Sequence, residues 1–294
     1  MSKHHRKRPN KIALYAVRNM SEKVSATFAI IRDNWRPMLR LTAYVMVPIS
    51  IVQGLGVNNL FASLFNDTAF PVWSAVVAGV FTLMGVSAIT ALMITLLQWH
   101  DLHDDGMAGV TLTALRQPLA RAFVKCVPAW LLIAVVVVPG VMVTGAAFFF
   151  IPFLVLVFMA AILPLWLVSP VYVLEGCSFF TAVKRAFKLG YSAWGQLVGL
   201  AFIMWLTAFI MQNVVTIPWT VAGVSINTLG SEGSDYTWKV VMQIVFYVTT
   251  IVQCLFSYVG LGLFTIAFTL HYSSVASDTE QVNIEAEIEN FENL

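Results

Sequence analysis

Five stretches of this chain run without a single Asp, Glu, Lys or Arg: residues 41–66, 68–100, 126–174, 189–231 and 240–277. A helix needs about 20 apolar residues to cross a bilayer, and each stretch is longer than that. Soluble domains carry charge on about 25% of their residues. Here the share is 11%, against 59% hydrophobic residues, which leaves too little polar surface for a water-soluble globule of 294 residues. The fold class that follows is all-α, a polytopic membrane protein.

The basic residues set its orientation. Of the 17 Lys and Arg, ten fall in the first forty residues, three at Arg116, Arg121 and Lys125, and three at Lys184, Arg185 and Lys188; Lys239 alone stands apart. Basic loops stay in the cytoplasm. Six transmembrane helices, at about 40–57, 72–98, 127–147, 149–174, 195–222 and 239–271, place the sixteen grouped residues on one side, with both termini cytoplasmic. The 49 residues of 126–174 are too long for one crossing, and Pro139-Gly140, Thr144-Gly145 and Pro152 supply turn chemistry for a hairpin. The 43 residues of 189–231 fit one crossing or two tilted ones, and the two arrangements put the C-terminus on opposite sides. The resulting domain plan is a basic flexible arm (1–20), one six-span membrane domain (21–272) and an acidic cytoplasmic tail (273–294). The basic leader is polar and the first apolar run starts only near Leu41, unlike a signal peptide.

Each basic cluster sits beside a helical stripe. Val24, Phe28, Ile31, Trp35 and Leu39 share one helix face, with Arg32, Arg36 and Arg40 beside it. Leu112, Leu115, Leu119 and Phe123 repeat the design with Arg116, Arg121 and Lys125. Phe180, Val183 and Phe187 repeat it with Lys184, Arg185 and Lys188. Three cytoplasmic interfacial amphipathic helices are expected, their cations among lipid phosphates and their apolar faces in the acyl boundary. Pro37 marks the expected bend from the first of them into the first span.

Residues 169–194 carry recognisable wording. Ser169-Pro170-Val171-Tyr172-Val173-Leu174-Glu175-Gly176 leads into Phe180-Thr181-Ala182-Val183-Lys184-Arg185-Ala186-Phe187-Lys188-Leu189 and Trp194, after a Val138-Pro139-Gly140 turn. With the opening from Ser21 to Pro48, this resembles the membrane domain of bacterial glycerophosphoryl diester phosphodiesterases, and inner-membrane proteins built from that domain alone. The resemblance implies a helical fold, the bacterial cytoplasmic (inner) membrane and a lipid-related role. In that family hydrolysis belongs to a separate soluble barrel, so no catalytic residue carries over.

The remaining candidates are weighed by chemistry. Glu175 ends the fourth span; it either binds a cation at the interface or pairs with Lys184 or Arg185, and the structural role is favoured. Gln212 and Asn213, near Pro218, are the first choice for lining a transport path. Polar groups between spans more often hydrogen-bond other helices, contributing about 0.6 kcal/mol each. His100, Asp101, His103, Asp104 and Asp105 are better read as a solvated helix end than as a metal site, because a structural metal needs four placed ligands. Cys126, Cys177 and Cys254 have neither redox nor metal spacing. No GxSxG, HExxH or phosphate-binding loop occurs, so no enzyme, no cofactor and no metal are expected, and no nucleic-acid surface. The leading expectation is a non-catalytic membrane protein that contacts anionic lipids through Arg32, Arg36, Arg40, Arg116, Arg121, Lys125, Lys184, Arg185 and Lys188 and recruits a protein partner through its charged termini. The alternative is a transporter or lipid translocator with a path between spans two, five and six.

Overall fold

The structure, a computed structural model, describes residues 12–65, 71–146, 151–229 and 236–292. Eight helices make it up, with no strand among the described residues: α1 (Met20–Phe65), α2 (Val72–Leu102), α3 (Leu112–Ala146), α4 (Ile151–Trp166), α5 (Val168–Glu175), α6 (Phe179–Ser192), α7 (Trp194–Leu229) and α8 (Tyr236–Glu292). Five segments are long and apolar enough to cross a membrane: Met20–Ser63, Val72–Leu102, Leu112–Pro139, Trp194–Ile226 and Val240–Thr279. The chain is a multi-pass helical membrane protein by these criteria.

Several helices are longer than the sequence suggests. The N-terminus of α1 is fixed by a reciprocal box: Glu22 N–H donates to Asn19 Oδ1 and Asn19 N–H donates to Glu22 Oε2, both at 2.9 Å. The helix then runs through the expected bend. Its one non-helical residue is Asn34 (φ −124°, ψ 21°), three residues before Pro37. Pro37 has no N–H to give to the Asp33 carbonyl, and its ring crowds that carbonyl, so the distortion falls within the preceding turn. There the Asn34 side chain takes up the slack, donating to Ile30 O at 3.0 Å and accepting from Met107 N–H at 3.3 Å. The loop expected to start at Asn58 is likewise helical up to Phe65; Asn66 and Asp67 lie outside the described residues.

On the second cluster-and-span unit, the expected surface helix and span merge into one 35-residue helix, α3, with Pro118, Pro128 and Pro139 inside it. The expected fourth span divides at Leu167 into α4 and α5. At 16 residues, α4 is only about 24 Å long, shorter than a bilayer core. Leu167 N–H reaches back to Pro164 O at 3.1 Å, closing a tight turn. Gly176 (φ 64°) then ends α5 in the left-handed conformation, and Ser178 caps α6 by accepting from Thr181 N–H. Stretch 189–231 forms a single helix up to Leu229, and the acidic tail continues α8 to Glu292. Residues 1–11 of the basic arm, the hairpin turn at 147–150 and the loop at 230–235 lie outside the described residues, as do the side chains of Lys239 and of the tail's acids from Glu280 onward.

The chain groups into two compact units. One comprises residues up to Leu39, Thr90–Met204 and Phe264 onward; the other comprises Arg40–Ile89 and Trp205–Leu263. The first has a core drawn from α3 to α8, with Leu167, Val171, Ala182, Ala186 and Leu197 fully buried and Trp166 edge-on to Phe264 and Phe268. The N-terminal segment belongs to it. Leu14 is buried, its N–H donates to Asp101 Oδ1 at 2.9 Å, and its carbonyl accepts from Ser273 Oγ at 2.7 Å.

The second unit is a four-segment helical assembly joined by polar pairs. Tyr258 donates to Gln53 Oε1 at 2.6 Å, and Gln53 donates to Thr82 Oγ1 at 2.9 Å. Trp219 Nε1–H donates to Thr250 Oγ1 at 2.9 Å, and Gln253 donates to Thr216 Oγ1 at 3.0 Å. Its outside is apolar: Trp205, Phe209, Ile210, Val214, Ile217 and Val221 are all exposed and fall on one face of α7. Soluble monomers rarely expose such a continuous apolar face.

Candidate interfacial site

Charge concentrates in the first unit, where it takes two forms. The first is an exposed basic set. In α1, Arg32, Arg36 and Arg40 are exposed alongside Phe28, Trp35 and Leu39. Arg36 lies over the Trp35 ring, 5.4 Å from its centroid, and Trp35 is 54% exposed. Arg32 pairs with Asp33 at 3.1 Å with both side chains in solvent, an arrangement that contributes little. Arg40 belongs to the second unit by chain grouping. In α3, Arg116 and Arg121 are exposed, whereas Lys125 is half-buried, donating to Tyr172 O at 3.2 Å and lying over the Tyr172 ring. In α6, Lys184, Arg185 and Lys188 are exposed.

α6 turns a stripe of small residues to the core, and Val183 and Phe187 of the apolar stripe read in the sequence are half-buried against it. Its buried residues are Ala182, Ala186, Leu189 and Gly190, while Phe180 is 77% exposed. Small residues allow close approach there: a Cβ on Gly190 would meet Pro164 Cβ at 3.1 Å.

The second form is buried polarity. Glu175, only 17% exposed at its side chain, accepts from Arg185 Nε at 2.7 Å and from the Tyr272 hydroxyl at 2.6 Å. Of its two candidate basic partners, Arg185 is the one it meets. Tyr272 is buried, so removing the carboxylate strands a buried hydroxyl as well as breaking a half-exposed ion pair. Glu175→Ala is expected to lower stability by about 1–3 kcal/mol. The check is the thermal midpoint in detergent; no shift contradicts the role.

Lys23, read from the sequence as part of the exposed basic leader, is 1% exposed. Its ammonium donates to Gln196 Oε1 at 2.6 Å and lies 3.3 Å from His271 Nδ1. His271 is fully buried, and its Nε2 has no partner among the described residues. Nearby, Arg18 donates to the carbonyls of Ala13 and Leu14. Partial burial lowers the Arg18 pKa from its ordinary value, and Glu22 opposes that by a smaller amount; a guanidinium stays charged regardless. The helix phase of Lys23, Thr27, Ile30, Asn34 and Met38 is the signal that sequence reading passed over, because three of the five are polar.

The path residues are separate from this set, in the second unit. Gln212 donates to Ser257 Oγ at 3.1 Å, and Asn213 donates to Phe209 O at 2.7 Å within its own helix. Both amides therefore have protein partners. His103 stacks on Trp99 with centroids 3.9 Å apart and contacts Trp99 O through Nδ1. Among the described residues, no three His, Cys, Asp or Glu side chains converge as metal ligands. Cys126 and Cys254 are buried, and all three cysteines are free.

No family model matches the chain, and no curated protein or solved structure matches it.

Proposed function

We propose that this protein is a non-catalytic component of the bacterial inner membrane that engages anionic lipids through its exposed basic residues and recruits a protein partner through its charged termini. In this reading α4 and α5 together complete a sixth crossing, both termini are cytoplasmic, and the N-terminal part of α1, the start of α3, and α6 lie at one interface. The observation that carries it is the side-by-side exposure of cations and large apolar groups on α1, with Arg36 over Trp35. Water alone does not favour exposing Phe28, Trp35 and Leu39, whereas a headgroup region accepts ring, aliphatic chain and guanidinium together. The resemblance of residues 169–194 to the phosphodiesterase membrane domain points the same way.

The test is lipid retention. Protein reconstituted with equal phosphatidylglycerol and phosphatidylcholine, then extracted in mild detergent, is expected to keep phosphatidylglycerol several-fold over the bulk ratio. A basic residue near an anionic surface contributes about 1 kcal/mol, and Asp33 offsets part of Arg32. Substituting Arg32, Arg36 and Arg40 together by Gln is expected to reduce the preference on the order of tenfold at low salt, and less as ionic strength rises. A retained ratio equal to the bulk in the unsubstituted protein refutes the reading.

A further inference from the structure

Residues 12–19 precede α1 without helix or strand, and two of them are held closely at the main chain. Leu14 N–H donates to Asp101 Oδ1 at 2.9 Å, and the Leu14 carbonyl accepts from Ser273 Oγ at 2.7 Å. Arg18 N–H donates to Ser274 Oγ at 2.9 Å, and the Arg18 carbonyl accepts from the same hydroxyl at 3.3 Å. Of residues 12–19, Leu14 alone is buried. The Arg18 guanidinium turns back on the segment and donates to the Ala13 and Leu14 carbonyls, which closes a bend around Leu14. A recess of about 300 Å³ lies beside this bend, lined by Leu14, Tyr15, Gln98, Asp101, Leu115 and Leu174 among others.

This seat reads a chain by its backbone. Asp101, Ser273 and Ser274 meet main-chain groups that every non-proline residue presents. Side-chain selection then falls to Leu14, which enters the apolar part, and to Arg18, which makes the bend. The segment is also separable from the helix that follows it. The Asn19–Glu22 box starts α1 by itself, and Lys23 is anchored independently to Gln196. One buried side chain and four backbone contacts hold residues 13–18, and ordering a backbone costs free energy at every residue. Release therefore requires little, whereas it leaves the buried Ser273 and Ser274 hydroxyls and an apolar recess short of partners. We propose that the seat formed by Asp101, Ser273 and Ser274 binds a bent peptide segment with Leu and Arg four residues apart, and that residues 13–18 occupy it in cis as a plug that such a segment of a partner protein displaces. The exposed Arg32 and Arg36 take no part in it, so it stands or falls independently of lipid contact.

Full-length Leu14→Asp protein in detergent is titrated with a fluorescently labelled peptide of residues 12–19, read by polarisation. The new carboxylate faces Asp101, which keeps the plug out. The variant is expected to bind one peptide per protein. The parent is expected to bind at least about a hundredfold more weakly, because its own segment competes at an effective concentration in the millimolar range. Peptides carrying Leu14→Asp or Arg18→Gln are expected to bind at least about tenfold more weakly than the unsubstituted peptide, and Ser274→Ala in the Leu14→Asp protein to weaken binding several-fold. If Leu14→Asp does not fold, Arg18→Gln in the protein decides. That side chain donates only to carbonyls of its own segment among the described residues, and its loss is expected to tighten peptide binding about tenfold over the parent. No saturable binding in the folded variants, equal binding by parent and variants, or equal affinity for the Leu14→Asp peptide overturns the proposal. Dimers of the parent that vanish in the Leu14→Asp variant assign the seat to a second copy and also overturn it.

Discussion

Replacing Gly56 by valine is expected to disrupt the second unit strongly. A Cβ at Gly56 would stand 2.8 Å from Ala78 N and 2.8 Å from Ser74 O. These are backbone atoms of α2, so no side chain can rotate away; the two helices must part. In lipid, helices gain little from hydrophobic segregation and rely on close backbone approach through small residues, and that approach is what the substitution removes. Overpacking costs about 1–3 kcal/mol where side chains can adjust; here an effect at or above about 3 kcal/mol is expected because the obstacle is main chain. The matched control is Gly79→Ala on the same unit. A Cβ there meets nothing within 4 Å, and alanine is the better helix former by roughly 1 kcal/mol, so that variant is expected to be neutral or slightly more stable. Buried Cys254 lies in the same unit, and its labelling by a thiol-reactive dye on heating reports the loss of packing directly. Equal midpoints for the Gly56 and Gly79 variants contradict the close-approach argument.

How much of this was legible beforehand follows from one physical limit. Charge-free runs longer than a bilayer is thick produce helices, and all five runs do so. Hydropathy does not say which face of such a helix meets protein, because lipid accepts an apolar side chain as readily as a core does. On α6 the large residues Phe180, Val183 and Phe187 read as the acyl-facing stripe, and nothing in the sequence marks the face that packs on protein. That face is Ala182, Ala186, Leu189 and Gly190, since small residues let α6 come close to Pro164. The same limit hid Lys23: a cation at the end of a basic leader reads as solvated, and only the tertiary placement of Gln196 and His271 shows otherwise. Pro139, read as turn chemistry for the hairpin, sits inside α3 together with Pro118 and Pro128, because a helix loses only one N–H donor at each and neighbouring helices can compensate. The cavity lined by Gln98 and Asp101 was invisible for a simpler reason: its lining comes from four separate parts of the chain. Glu175 was visible, since an acid closing a long apolar run ahead of a basic helix has few partners to choose from.

The Lys23 cluster carries the last prediction, a rescue between two substitutions. An ammonium offers three donors and no acceptor, and here one goes to Gln196 Oε1 and one toward His271 Nδ1. With Nδ1 accepting, the His271 proton resides on Nε2, the atom that has no partner among the described residues. No carboxylate lies within ion-pair distance of Lys23 among the described residues, so its direct contacts are neutral groups, with Asp278 adding a longer-range attraction. Hydrogen bonds to a charged group contribute about 1.5–3 kcal/mol each. Gln196→Leu removes the shorter one and leaves a buried cation short of an acceptor, so a loss of about 2–3 kcal/mol is expected. Lys23→Met keeps the length of the stem and deletes the charge. A buried ion exchanged for an apolar group of similar volume is often neutral or stabilising, so in the Gln196→Leu background this second change is expected to return most of the lost stability, to within about 1 kcal/mol of the parent. The readout is the thermal midpoint followed at buried Cys126, which lies in the same unit. A double variant no more stable than Gln196→Leu alone shows that Gln196 supports something other than the ammonium. A double variant near the parent shows that the cation itself is the cost the cluster exists to offset, and that the start of α1 is tied to α7 and α8 by charge solvation rather than by an ion pair.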